Sequence, residues 1–354
     1  ICYFVDCWRQ FLISKMDQEG AIEGIFCPEF KCRFIVEENL LKKLVKDNDP
    51  IQRFQRLIVD AYVLSSRLLK HCPGKECSKI AKVDHINLMK VICTCGYSFC
   101  FLCGDKWHEP ARCDIMKEWN RKCAGETIEK IDCETANWIL SNTKDCPKCN
   151  VAIEKNGGCN HMTCKNASCR FEFCWICMAD WKQHNYERSC NRFDDKKEAE
   201  KQARTKLQRY IHYWSRFHNH QKSLQSEKKL ISQMNTLMEQ LQQVYGMVWI
   251  EVQFLMESFK TLCHCRHTLM YSYAFAYFLE KNNFSEIFED NQQYLETSTE
   301  ELSGFLEKKS EEWQPEFKER IINLEKYCKD RRKELIKHVM EGYEKEWWKF
   351  VSVQ

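Results

Sequence analysis

Closely spaced pairs of cysteines in the first half of the chain constrain its fold more than any other feature. The 354 residues include 24 cysteines, of which only three lie after residue 190. Cys146 and Cys149, like Cys174 and Cys177, are separated by two residues. Thiols at this spacing can bind one metal ion together but are poorly placed to bond to each other. No secretory signal is visible, which favours zinc thiolates over disulfides. The sequence therefore predicts zinc as the cofactor.

A set of seven cysteines and one histidine occurs twice, and each copy can complete two tetrahedral zinc sites. The ligands predicted for the middle module are Cys72, Cys77, Cys93, Cys95, Cys100, Cys103, His108 and Cys113. The ligands predicted for the later module are Cys146, Cys149, Cys164, Cys169, Cys174, Cys177, His184 and Cys190. Runs at 97–99 and 171–173 predict short β-strands. Modules this small bury too little surface to fold alone, and zinc supplies roughly 10–16 kcal/mol per structural site.

A third cysteine group, at the beginning of the chain, is incomplete. Cys2, Cys7, Cys27 and Cys32 have ligand-like spacing around a helix predicted over residues 8–18. Four cysteines cannot fill two tetrahedral zinc sites, because each site needs four ligands. The sequence therefore predicts a partial first zinc module.

The second half of the chain is predicted to be all-helical. From residue 194 onward proline occurs once, at Pro315, and glycine is sparse. Apolar residues follow a helical stripe, which is made of Leu230, Met234, Leu237, Leu241 and Val244. Breaks are expected near 282–283 and 308–315. This pattern is typical of a helical bundle of about 160 residues.

Charge and hydropathy argue against nucleic acid and membranes as partners. The formal net charge is +3, but the predicted ligand thiolates and zinc ions move it to about −3. A chain of this charge gives no global argument for nucleic acid. The basic stretch at 196–206 alternates with Glu and Gln, which indicates a solvated helix face. The longest apolar run, 270–279, is shorter than the ~18–20 residues that span a bilayer.

Cys159 differs from the other cysteines that zinc does not need. Five of these lie in helical patterns, where a thiol is an ordinary small hydrophobe: Cys123, Cys133, Cys263, Cys265 and Cys328. Cys159 follows two glycines in a loop where the middle module has no cysteine. Spacing alone leaves two readings open, a loop filler or a reactive thiol. His161 is a general base, or else a surface or reserve zinc-binding histidine, while His218 and His220 are predicted to be surface residues.

Residues between the zinc ligands are similar to one known family, the RING-in-between-RING ubiquitin ligases. The stretches 146–149, 154–164 and 173–177 resemble the catalytic second RING of that family in both spacing and intervening residues. Stretches 249–254 and 341–345 resemble its Ariadne branch. The resemblance implies a multidomain fold of small zinc-stabilised α+β modules followed by an all-α Ariadne domain. The domains it implies are a partial first RING (1–45), a helical linker (46–70), an in-between-RING module (71–114), a helical connector (115–143), a catalytic second RING (144–192) and a helical regulatory domain (193–354).

The resemblance also implies an activity. Ubiquitin would pass from a conjugating enzyme to Cys159 as a thioester and then to a substrate lysine, with His161 as base and Glu172 orienting it. Ile1 would contact the conjugating enzyme. Implied partners are a ubiquitin-charged conjugating enzyme, ubiquitin, neddylated cullin-RING ligase complexes and protein substrates. A cytoplasmic or nuclear location is expected. One departure lies before Trp8, where Phe4 occupies the position of an expected cysteine ligand.

The Ariadne branch further implies autoinhibition by the helical domain. Glu227 and Glu300 occupy positions expected to contact the catalytic module, although Ser226 replaces an aromatic residue common before the first of them. The residues alone leave Glu227 and Glu300 equally readable as solvated helix positions.

Two other function classes are open. A non-catalytic zinc scaffold or conventional RING adaptor has no need for an exposed extra thiol such as Cys159. Nucleic-acid binding would require basic and aromatic strips on the zinc modules, whose loops here contain acidic residues at comparable density.

Overall fold

The chain forms two compact units, Ile1–Trp107 and His108–Gln354, in the computed structural model. The structure describes residues 5–18, 25–29, 31–45, 48–85, 90–126, 143–155, 158–184, 190–193, 202–308 and 313–351. Ile1, Cys2, Phe4 and Cys133, singled out in the sequence, lie outside the described residues. No described helix is both long and apolar enough to cross a membrane.

The first unit begins with three helices, α1 (Val5–Gln18), α2 (Glu38–Leu44) and α3 (Asn48–Ser65). The helix predicted over residues 8–18 is thus confirmed and begins three residues earlier. Leu12 and Leu41 are fully buried in a small apolar cluster that the three helices share. This cluster gives the helices a core of their own.

Two antiparallel hairpins follow in the first unit. The first consists of β1 (Leu69–His71) and β2 (Ile80–Lys82), and the second of β3 (Lys90–Ile92) and β4 (Ser98–Cys100). The turn of the second hairpin contains Gly96 at φ +86°, a conformation that favours glycine. The strand predicted at 97–99 is present, displaced by one residue.

The second unit begins with helix α4 (Cys113–Arg121), which continues into a π-helical turn, Lys122–Glu126. Two more hairpins follow, and their strands are β5 (Thr143–Asp145), β6 (Ala152–Glu154), β7 (His161–Thr163) and β8 (Glu172–Cys174). A short helix, α5 (Trp181–His184), comes next. These hairpins form the module that was predicted to be catalytic, and Ile153 and Phe173 are at its centre.

Five long helices complete the second unit, as the sequence pattern predicted. They are α6 (Gln202–Gln225), α7 (Glu227–Tyr245), α8 (Trp249–Phe278), α9 (Asn283–Leu306) and α10 (Glu316–Glu344). Both predicted breaks are confirmed. At the first, the Asn282 side chain caps α9 by accepting a hydrogen bond from the Ser285 backbone N at 2.9 Å. The α7 stripe is buried except at its end, where Val244 is 73% exposed.

The central helix α8 forms the core of the second unit, with α6, α9 and α10 packed around it. Helix α4 belongs to the same core, because Trp119 is almost completely buried and contacts Phe217 and Tyr277. The predicted fold class, small zinc-type modules followed by an all-helical part, is confirmed.

Candidate functional site

Two groups of four cysteines have the geometry that zinc requires. In each group the four sulfur atoms lie within 4.8 Å of one another: Cys72, Cys77, Cys93 and Cys95 in the first unit, and Cys146, Cys149, Cys164 and Cys169 in the second. Each group draws two cysteines from the turn of one hairpin and two from the turn of the next. Four convergent thiols with no acidic oxygen among them suit zinc better than calcium or magnesium.

The remaining predicted ligands are placed less completely. Cys174, Cys177 and Cys190 form a third convergent group in the second unit, but the side chain of its predicted partner His184 lies outside the described part. The boundary between the units falls inside the second predicted site of the middle module. Cys100 and Cys103 belong to the first unit. In the second unit, His108 Nε2 lies 3.6 Å from Cys113 Sγ, and His108 Nδ1 lies 2.7 Å from the Ala111 carbonyl.

The first module is as incomplete in space as in sequence. Cys7, Cys27 and Cys32 belong to no convergent ligand group among the described residues. Cys2, the fourth predicted ligand, lies outside the described residues. The assignment of these four residues to a zinc site stays a prediction.

Cys159 lies on the loop between β6 and β7 and belongs to no convergent ligand group among the described residues. Hydrogen bonds inside the module hold Lys155 and Asn160 of this loop in place. Lys155 Nζ donates to Asn160 Oδ1 at 2.8 Å, and the Trp175 backbone N donates to the Asn160 carbonyl at 2.8 Å. The sulfur of Cys159 accepts a hydrogen bond from the His161 backbone N at 3.4 Å and lies 3.8 Å from the Glu300 carbonyl.

Carboxylates from the end of α9 bind the backbone on both sides of Cys159. Glu300 Oε2 accepts from the Asn160 backbone N at 2.6 Å, and Glu307 Oε1 accepts from the Gly158 backbone N at 3.0 Å. Glu300 is 6% exposed. Glu300 therefore lies against the predicted catalytic loop, the position expected of it from the sequence, and is not a solvated helix residue.

Helices α6 and α8 hold the same loop from other sides. Asn219 Oδ1 accepts from Lys155 Nζ at 2.7 Å, and Ser223 Oγ donates to the Gly158 carbonyl at 3.2 Å. The buried Arg266 of α8 lies so close to Gly158 that a Cβ at that position would overlap its guanidinium. Arg266 also pairs with Glu307 at 3.7 Å. We call these contacts the loop clamp: Asn219, Ser223, Arg266, Glu300 and Glu307 on Lys155, Gly158 and Asn160.

The loop clamp changes the ionisation of the groups that it covers. Desolvation, followed by the carboxylates of Glu300 and Glu307, raises the pKa of the Cys159 thiol well above its ordinary value. Burial likewise lowers the pKa of the Lys155 ammonium to about 8, against the opposing effect of Glu300. Desolvation also raises the pKa of the Glu300 carboxyl. Both Cys159 and Lys155 are thus shifted towards their neutral forms, and in Cys159 that form is the unreactive one.

His161 and Glu172 form the pair that the sequence suggested. His161 Nε2 lies 3.0 Å from Glu172 Oε2, and both side chains are partly exposed. The two residues occupy diagonal positions on one face of the β7–β8 hairpin. Among the described residues His161 belongs to no convergent ligand group, so a zinc-binding role for it has no support there.

Sequence reasoning missed Asn219, Ser223, Arg266 and Glu307, because nothing in their local pattern distinguishes them from other helix residues. Glu227 is the first residue of α7, and its side chain lies outside the described part. Its predicted autoinhibitory role stays a prediction.

The prediction of two surface histidines on α6 is wrong. His220 is fully buried, lies 3.6 Å from Glu296 Oε1, and stacks on Tyr273. His218 is half-buried and stacks on Trp214. Helix α6 contacts both the loop of Cys159 and α8, so it has less free surface than its polar sequence suggests.

We expect at least four zinc ions per chain in native mass spectrometry of freshly prepared protein. The reason is the doubled ligand pattern and the convergence of the cysteines. Removing zinc with a chelator should unfold the hairpin modules, because structural zinc supplies much of their folding free energy. A fresh preparation that holds fewer than four ions would contradict the assignment.

Family models match three parts of the chain. Residues 52–113 match the IBR domain, a half RING-finger domain; residues 141–194 match a second IBR domain model; and residues 208–346 match the Ariadne domain. These spans overlap the predicted in-between-RING, catalytic and helical domains. The exact domain limits stay predictions.

Similar proteins support the same assignment. The chain is 44% identical over 357 residues to the E3 ubiquitin-protein ligase ARIH1 of Homo sapiens, which covers 99% of this chain and 63% of that protein. It is 42% identical over 357 residues to the E3 ubiquitin-protein ligase ariadne-1 of Drosophila melanogaster, covering 99% of this chain and 70% of that protein.

A solved structure of Pediculus humanus Parkin bound to phospho-ubiquitin has 26% sequence identity, covering 50% of this chain and 56% of that one, with a TM-score of 0.24. The chain spans somewhat less than two thirds of the length of human ARIH1. Its identity to the Drosophila protein over nearly its whole length is decisive: the chain belongs to the Ariadne family of RING-in-between-RING proteins.

Proposed function

We propose that this chain is a ubiquitin-protein ligase that carries ubiquitin as a thioester on Cys159. The observation that carries the proposal is a thiol outside the zinc groups of the described residues, two residues from a histidine–carboxylate pair. The names of the relatives, E3 ubiquitin-protein ligases, support the same reaction class. A non-catalytic zinc scaffold would have no use for this combination.

In the first step, the Cys159 thiolate attacks the thioester between ubiquitin and the conjugating enzyme. A new S–C bond forms on Cys159, and the cysteine of the conjugating enzyme leaves as a thiolate. A free cysteine has a pKa of ~8.5, so a few per cent is ionised near neutrality. This fraction is adequate, because attack of a thiolate on a thioester is intrinsically easy.

In the second step, the amine of a substrate lysine attacks the thioester, and Cys159 leaves as a thiolate. At pH 7.4 only about one lysine in a thousand is neutral. A base that takes the proton offsets up to ~4 kcal/mol of this cost. Glu172, 3.0 Å from Nε2 of His161, favours the tautomer with its proton on that nitrogen and leaves Nδ1 to accept the proton of the amine.

Regulation is the third part of the proposal. The loop clamp covers Cys159 and keeps its thiol neutral, so the helical domain acts as an inhibitor until a partner releases it. By resemblance that partner is a neddylated cullin-RING ligase complex, and the ubiquitin donor is a charged conjugating enzyme. We place these reactions in the cytoplasm or nucleus.

The proposal is tested by trapping the intermediate. Incubation with a charged conjugating enzyme should give a ubiquitin adduct that thiols reduce, and Cys159→Ser should turn it into one that resists thiols but is cleaved by hydroxide. Cys263→Ser, a thiol on helix α8, serves as the matched control and should leave the adduct reducible. An adduct that persists unchanged in Cys159→Ser would contradict the proposal.

The role of His161 is tested by separating the two steps. His161→Ala should slow discharge to free lysine by about 100-fold or more while slowing the loading of Cys159 far less, because only the lysine must lose a strongly held proton. Single-turnover assays on preloaded protein measure discharge, and a charged conjugating enzyme measures loading. Equal slowing of both steps would make His161 a structural residue.

A further inference from the structure

The ring of His161 is held on its face as well as at its edge. Its imidazole stacks on the indole of Trp181 with 4.1 Å between ring centroids and 8° between ring planes. Glu172 occupies one edge of the same ring, at Nε2. An aromatic face is a favourable neighbour for a cation, so the stack suits the imidazolium that forms when His161 accepts a proton.

The backbone of the module fixes Trp181 where it is. Asp180 forms a β-bridge with Phe173, and the Cys174 backbone N donates to the Ala179 carbonyl at 3.0 Å. The Asp180 side chain then caps α5 by accepting from the Lys182 backbone N at 2.9 Å. All these bonds are internal to the module, so the position of Trp181 does not depend on the loop clamp.

We infer that Trp181 is a positioning residue for His161 in the transfer of ubiquitin to lysine. The inference rests on the proposed function. As the N–C bond to lysine forms and the S–C bond to Cys159 breaks, the amine proton passes to His161. The indole holds the imidazole against Glu172 and stabilises the charge that arrives on the ring. The thiolate of Cys159 leaves without needing that proton.

Single-turnover discharge to free lysine, measured on the complete chain, tests the inference. Trp181→Leu should slow discharge about two- to tenfold and leave the loading of Cys159 nearly unchanged, while Trp181→Phe retains an aromatic face and most of the rate. The matched control is Trp249→Leu, at an exposed tryptophan of α8, which should change neither step. Native mass spectrometry checks that each variant keeps its zinc.

A double-mutant cycle separates positioning from a structural role. In His161→Ala, where the ring is absent, Trp181→Leu should slow discharge no further. Unchanged discharge in Trp181→Leu, equal slowing of both steps, or full additivity with His161→Ala would each overturn the positioning role. If His161→Ala discharges at the normal rate, the proposed base fails as well, and the two failures are thereby distinguished. Nuclear magnetic resonance gives a readout that does not depend on activity, since the His161 ring protons should lose their indole ring-current shift in Trp181→Leu.

Discussion

Gly158→Ala is expected to speed the loading of Cys159 with ubiquitin, although the substitution lies next to the proposed nucleophile. The methyl group would overlap the guanidinium of Arg266. Arg266 is 3% exposed and is tied to Ser303 and Glu307, so it has little room to move. Glu307 in turn accepts from the Gly158 backbone N. Alanine at this position should therefore loosen the whole loop clamp.

The size of the effect follows from the coupling between the clamp and the loop. Coupling of this kind is typically worth ~1–3 kcal/mol, or roughly 5–150-fold, and we expect loading to become at least about fivefold faster. The rate of thioester formation with a charged conjugating enzyme measures it. Because Glu300 binds the backbone of this loop, we also expect faster loading in Glu227→Ala/Glu300→Ala. In that background Gly158→Ala should add little, because the clamp is already released.

Gly304→Ala is the matched control for this prediction. Gly304 lies on α9 among the residues of the clamp, but a Cβ there would meet no atom within 4 Å. Its replacement should leave loading unchanged. Normal loading in Gly158→Ala would mean that Arg266 yields without opening the clamp. Loss of loading with zinc retained would mean that the loop itself requires glycine for catalysis.

A truncation near Phe193 would also remove the clamp, but it is a less specific test. Helix α4 packs its buried Ile115, Met116 and Trp119 into the core of the helical domain. Removing that domain would expose this apolar face. Point substitutions in the clamp release the loop without this side effect.

Alkylation of Cys159 should be at least about tenfold faster in Glu300→Ala/Glu307→Ala than in the unmodified chain at pH 8. Iodoacetamide reacts with the thiolate, and a raised pKa means that less thiolate is present at any given pH. Both carboxylates raise the pKa of Cys159, and both also hold the helices over it. Their removal should lower the pKa of the thiol towards its ordinary value of ~8.5. At a pH below the pKa, each unit by which the pKa falls gives about ten times more thiolate.

Mass spectrometry of the peptide that contains Cys159 measures the alkylation rate. Glu301→Ala is the matched control, because Glu301 is the neighbour of Glu300 on α9 but pairs with Arg320 at 3.7 Å. It should leave the rate unchanged. Replacing Glu300 and Glu307 by glutamine removes the two charges and keeps the side-chain shapes. This variant therefore separates the electrostatic effect on Cys159 from release of the loop. Equal alkylation in all variants would show that the clamp does not protect the thiol.

Much of the proposed site could be predicted from short stretches of sequence, because its ligands and reactive residues lie only a few residues apart. Cys146 and Cys149 can reach one ion together, because the two residues between them set the distance between their thiols. Asn282 and Ser285 likewise mark a helix start by their own hydrogen bonds. The buried state of His220 could not be predicted in this way, because a lone histidine on a polar helix carries no signal of its neighbours.

The sequence by itself determined the family and the zinc-type modules and led to the prediction of Cys159 and His161 as site residues, because each depends on residues close together in the chain. Only the tertiary structure decided the state of the thiol. Glu300 and Glu307 are separated from the loop by more than 100 residues, and they reach it because α8 and α9 pack together. Desolvation and charge at Cys159 are properties of that packing, and no local pattern contains them.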